Sequence, residues 1–162
     1  MNKILWFSDV TARDLLGKTI SDYGTYLSQE FGPVLPSIIP EMNVLSQAGL
    51  ISTQDFDVYD YRQRIFRLTE PTDLTKFEEI EKTMSEEHRA ILDEWINHAR
   101  DITAMELAEE SHEYSWWKQI EADGRIGCAI KPEDALESDS TPPKIQTEII
   151  NTLKKIRTVY GG

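Results

Sequence analysis

Three groups of residues could do chemistry in this chain, and each would need a particular setting. Gly17-Lys18-Thr19 has the order in which a phosphate-binding loop places a glycine, a lysine and a hydroxyl. The leading glycine of that motif falls on Ala12, however, and the residues before it read as a helix and not as a strand. No nest of backbone N–H groups is expected there. His88, His98 and His112 are the only imidazoles. The spacing of His88 and His98 puts them on different faces of a continuous helix, which is wrong for a zinc pair. Cys128 is the only cysteine, so an internal disulfide is excluded and the reading is of a reducing, cytoplasmic setting. Only Arg125 and Lys131 stand near it in sequence to activate the thiol. No Gly-x-Ser-x-Gly elbow occurs. The expectation is no catalytic residue, no metal and no cofactor, hence no enzyme.

The adjacent pair Trp116-Trp117 points elsewhere. Neighbouring side chains on a helix diverge by about 100°, so one indole is expected to face inward and the other to be at least partly exposed, as a protein-interface anchor. The alternative is that His112, Tyr114 and the C-terminal segment cover it. Candidate contacts for a partner are Trp116, Trp117, His112, Arg62 and Arg64.

The elements that must carry these residues are mostly helical. Asn2 to Leu16 reads as a helix with Ile4, Leu5, Phe7, Val10, Leu15 and Leu16 on a wide apolar stripe, Asp9, Arg13 and Asp14 on the other side, and Gly17 as its stop. Ser21 to Glu30 reads as a connection with at most a short strand. Phe31-Gly32-Pro33-Val34-Leu35-Pro36 is a stiff lead into a helix from Ser37 to Gly49. Ser37 is the expected cap, Pro40 lies in the first turn, and Gly49 takes the left-handed stop. Ile38, Met42, Leu45 and Ala48 share a face that Ile39 and Val44 widen, which makes this a core element. Asp55 to Leu68 is rich in β-formers and reads as a hairpin turning near Tyr61 to Arg64. A helix, a glycine and a hairpin in that order are winged-helix-like. Leu74 to Met84 is a short acidic helix. Ser85 and Thr103 cap two more, and Ser115 opens another. Asp123 to Cys128 is a loop, and Pro132 starts a short turn. Residues 137–143 form a polar, proline-rich linker. Ile145, Ile149, Leu153, Ile156 and Tyr160 then mark an amphipathic helix over 144–160. It can dock on residues 1–136, pair with another copy of the chain, or bind a partner, and docking in cis is the default because so large an apolar stripe is a liability when exposed.

The net charge of −12 is unevenly placed. Residues 71–140 hold nineteen acids against seven bases, while residues 141–162 hold Glu148 against Lys144, Lys154, Lys155 and Arg157. An acidic body is repelled by phosphate backbones and anionic lipid and favours a basic protein partner; the plain alternative is a solvated face that keeps the chain soluble. No apolar run spans a bilayer, so no membrane role is expected. A DNA-binding reading would use Arg62, Arg64 and Arg67 as a wing and Lys154, Lys155 and Arg157 as a second contact. Against it, the Ser37–Gly49 helix carries Glu41 and no lysine or arginine.

In this order the pieces resemble the Panacea domain of the SocA-like antitoxins. Lys3-Ile4-Leu5-Trp6-Phe7-Ser8-Asp9 is similar to the family's Lys-Leu-Leu-Tyr-Phe-Ala-Asp helix. Phe31-Gly32-Pro33-Val34, leading on to Pro36, stands in the place of its Tyr-Gly-Pro-Val, as a structural motif. Gly17-Lys18-Thr19-Ile20, the Leu45-to-Ile51 helix end and Leu107 to Trp117 agree as well, and the likeness covers about residues 3 to 136. The resemblance implies a mostly α (α+β) domain that neutralises a protein toxin by direct contact. In one relative the role is that of an adaptor handing its toxin to a protease. Members usually carry a further helix before the Lys-Leu-Leu-Tyr segment, and the expectation is that the Ile145-to-Tyr160 helix fills that groove in cis.

Overall fold

The computed structural model describes residues 1–21, 24–58, 61–69, 74–135 and 143–160. They fall into two units, Met1–Pro36 with Met84–Gly162, and Ser37–Thr83. The architecture is mostly α with small antiparallel sheets.

The first unit is built around α1 (Asn2–Leu16), a helix with no interior glycine or proline that Gly17 ends in the left-handed region at φ 74°. Every residue from Trp6 to Ala12 is buried. A helix covered on all sides needs neighbours all round. They are α4 (Glu86–Arg100), α5 (Ala104–Glu113), strand β2 (Gly32–Val34) and the 3-10 turn Pro132–Ala135. Aromatic rings fill the space between them. Phe7 stacks on Trp95 with centroids 4.6 Å apart, and Trp6 meets the edge of Tyr26 at 5.0 Å and Trp116 at 5.1 Å. The Trp95 indole N–H donates to Thr11 Oγ1 at 3.0 Å, so the one polar group of that ring is satisfied inside the core.

The expected caps form. Ser85 Oγ accepts the His88 N–H at the start of α4. Thr103 and Glu106 make a reciprocal capping box on α5. Helix α6 (Ser115–Ala122) follows. Beyond it, α7 (Pro143–Tyr160) lies against α4 with Ile145, Ile149 and Leu153 buried, and Arg157 pairs with Glu87 at 3.0 Å. Of the stretch read as a linker, only Pro143 is within the described residues, and it opens α7.

Sequence reading missed a sheet. Strand β1 (Tyr26–Gln29) pairs antiparallel with β2 on one side and with β5 (Ala129–Ile130) on the other. The segment read as a connection with at most a short strand holds that strand, β1, and it is the central one. β2 hides because Pro33 cannot donate to a ladder; it is tolerated on this edge strand, opposite Ser28. β5 is two residues long, too short for any periodicity.

The second unit comprises α2 (Ile38–Gln47), β3 (Ile51–Val58), β4 (Tyr61–Leu68) and α3 (Leu74–Thr83). Gly49, at φ 73°, ends α2 as expected: its N–H donates to Ser46 O and that of Leu50 to Leu45 O, the paired bonds of a Schellman stop. Two expectations for α2 fail. Ser37 makes no side-chain cap, its backbone already being helical. Only Ile38 and Met42 are buried, while Ile39 and Val44 are exposed, Val44 by 63%. The hairpin ladder runs from Ile51↔Leu68 to Val58↔Tyr61, so Tyr61 to Arg64 belong to the strand and not to the turn. The connecting residues 59–60 lie outside the described residues.

Candidate partner-binding site

The polar residues of α1 and of the loop after it serve the scaffold. Asp9, expected on the polar side of α1, is fully buried. Its Oδ1 accepts the backbone N–H groups of Ile20 and Ser21, each at 2.8 Å, and its Oδ2 accepts the Ser21 hydroxyl and, at 2.6 Å, the Tyr26 phenol. One carboxylate therefore ties the loop after α1 to strand β1. Burial and then the charge of Asp9 push the Tyr26 phenol well above its ordinary pKa. Gly17-Lys18-Thr19 sits in this loop as a helix stop: Gly17 N–H bonds Arg13 O, and Arg13 returns its guanidinium to Gly17 O and pairs with Glu133 at 2.9 Å. Thr19 Oγ1 donates to Ser21 O at 2.6 Å.

Two of the histidines are also engaged, whereas Cys128 is a free, exposed thiol. His98 Nε2 lies 2.8 Å from Glu110 Oε2, and the His112 ring stacks on Trp117 at 4.8 Å. Among the described residues no group of three His, Cys, Asp or Glu is placed to hold a metal. Trp116 and Trp117 are both buried, the second completely, so the exposed indole is corrected in favour of the alternative, a covered pair. Two neighbours on one helix can both be covered because Trp116 lies between Trp6 and Tyr114 while Trp117 is capped by His112. In the hairpin, Arg64 donates Nε and Nη2 to Asp55 at 2.7 and 2.9 Å, a bidentate pair that raises the Arg64 pKa and occupies the guanidinium. Arg62 stands opposite Asp57 in the same ladder; only its backbone is described. With Arg64 and Arg157 each held by a carboxylate, both proposed DNA contacts have lost a free cation.

One open surface among the described residues lies near the Phe31–Pro36 motif. Gln29 pairs with Gly32, which leaves Glu30 and Phe31 at the tip of the β1–β2 turn. Phe31 is 57% exposed, whereas Gly32 and Pro33 are buried, Val34 is half-buried, Leu35 is buried and Pro36 is exposed. Gly32 has φ 93°, and a Cβ there would come within 2.7 Å of both Lys3 Cε and Ser111 Oγ. The close approach holds the α1 start against the turn: Lys3 Nζ donates to Pro33 O at 3.3 Å, and the Leu35 N–H to Asn2 Oδ1 at 3.1 Å. Beside it runs a groove of about 330 Å³ with Ile4, Phe31, Ala99, Ile102, Leu107 and Ala108 in its lining. Lys3 also lines it, and burial pushes the amine down to about 8. Lys3, Ile4, Phe31 and Leu107 each belong to a motif read from the sequence, but no motif joined them into this groove, which forms from residues far apart in sequence.

A family model described as antitoxin SocA-like, Panacea domain, matches residues 1–118. No curated protein and no solved structure matches the chain. The match takes in α1, the buried Asp9 loop, the Phe31–Pro36 motif and the groove, and ends within α6. The chain belongs to the SocA-like antitoxin family, with residues 1–118 as its Panacea domain.

Proposed function

We propose that this protein is an antitoxin that neutralises a protein toxin by occupying its surface, without turnover. Its membership of an antitoxin family over residues 1–118 carries the reading. Two further features support it. Thr19 of the Gly17-Lys18-Thr19 run donates within its own loop, and buried Asp9 holds that loop to β1. The formal charge of −12 also favours encounter with a basic partner, through steering more than through affinity. A toxin whose own site handles nucleic acid or a nucleotide would carry that complementary sign, and the cytoplasm is where the pair would meet. No helix among the described residues is long and apolar enough to cross a membrane.

The test is genetic. The reading frame beside this gene, expressed alone, is expected to arrest growth, and co-expression of the chain to restore it. A neighbour that is harmless alone, or toxic with and without the chain, contradicts the proposal.

A further inference from the structure

The groove beside Lys3 is specific in its chemistry. Its lining sets apolar Ile4, Ile102, Leu107 and two small alanines, Ala99 and Ala108, beside polar Asn2, Lys3 and Thr103, with exposed Phe31 among them. A volume of about 330 Å³ suits an aromatic or branched side chain with its flanking backbone. The Lys3 amine in the wall is half-buried, and among the described residues its bond goes to a neutral carbonyl, Pro33 O. The chain has 29 acidic residues, yet none of the described ones pairs with this amine. Glu106, at the nearby α5 start, is committed to the Thr103 N–H at 2.6 Å. A desolvated ammonium without a counter-ion is costly, and a carboxylate arriving with a ligand offsets that cost while an apolar group alone does not.

We propose that this groove receives an apolar side chain of the partner toxin flanked by a carboxylate, and that the carboxylate pairs with Lys3. The proposal rests on the reading that the chain binds a partner protein, and it sharpens it. The acidic exterior attracts a basic surface, whereas the groove selects, within that surface, a short segment of opposite sign. Specificity then comes from a feature that a uniformly basic protein lacks.

Fragments that reproduce the two halves of this ligand test it without the toxin. The full chain is titrated with phenylbutyrate and with neutral phenylbutanamide, followed by backbone amide shifts. Expected are saturable shifts at Ile4, Leu107 and Ala108 and an affinity about ten-fold higher for the acid, as a charged hydrogen bond supplies. Lys3→Met should abolish the preference and Lys3→Arg restore it, both variants being checked for folding by circular dichroism. Equal affinities, no saturable shift at these residues, or a preference that survives Lys3→Met overturns the proposal. So do shifts at the same residues that follow protein concentration alone, since a second copy then fills the groove. The two readings fail separately: a chain that prefers the acid but gives no protection in cells supports the groove and overturns the antitoxin role.

Discussion

Asp9 Oδ2 accepts the Tyr26 phenol proton at 2.6 Å, deep in the first unit, between the helix at its centre and the middle strand of its sheet. The same carboxylate holds the Ile20 and Ser21 amides, so its loss strands the buried phenol and several part-buried donors at once. Asp9→Ala leaves the Ile20 and Ser21 amides and both hydroxyls without their acceptor and should cost about 3–5 kcal/mol, whereas Tyr26→Phe removes one donor and should cost about 1–2 kcal/mol. Urea unfolding measures both. Near-equal values would mean that the carboxylate holds only the phenol.

Gly32 combines a left-handed backbone with a site where a Cβ meets Lys3 and Ser111. Gly32→Ala should destabilise by about 1–3 kcal/mol, from the positive φ and from the crowding. Adding Ser111→Ala removes the clashing Oγ and leaves the backbone strain, so the double variant should recover only part of the loss. Full recovery would mean that the backbone there is unstrained.

Lys3 gives a pH signature whose direction is fixed by its shift. Its folded pKa, about 8, lies below the ordinary 10.5, so the unfolded chain holds this proton more tightly. The penalty is fully present below about 8 and is relieved as pH rises towards 10.5. Relative to Lys3→Met, the parent chain should therefore gain stability between pH 7 and pH 10, by about 1–2 kcal/mol once solvent screening of a half-buried amine is allowed for. Denaturation at the two pH values checks this, and a difference that is flat or falls with pH contradicts it.

Helix α7 should be part of the folded unit. Ile149 is fully buried, and Ile149→Ala is expected to cost about 2–4 kcal/mol. Arg157→Ala, which breaks an exposed pair with Glu87, should cost under about 1 kcal/mol. Deleting residues 141–162 should lower the melting temperature markedly; an unchanged value would mean that the helix is an appendage.

What could be read beforehand was what neighbouring residues decide. Gly49 with Leu50 and the Thr103–Glu106 box each lie within a few residues of what they bond, so helix stops and starts were legible. Asp9 was misplaced because an apolar stripe implies one wet face, and nothing local tells that a loop returns to cover that face. For Trp117 the cover is His112, the alternative that the sequence offered, whereas the cover of Trp116 includes Trp6, distant in sequence. The groove beside Lys3 is assembled from α1, α4, α5 and a turn, and its pattern exists only in three dimensions.

The central claim is inhibition by occupancy, and mixing the purified chain with its purified toxin tests it most directly. Toxin activity should fall in proportion to the amount of chain added and vanish at a fixed molar ratio, with a stable complex on size exclusion that weakens as salt rises. Loss of an excess of toxin activity to a small amount of chain would reveal turnover and contradict the account, as would full activity at any ratio.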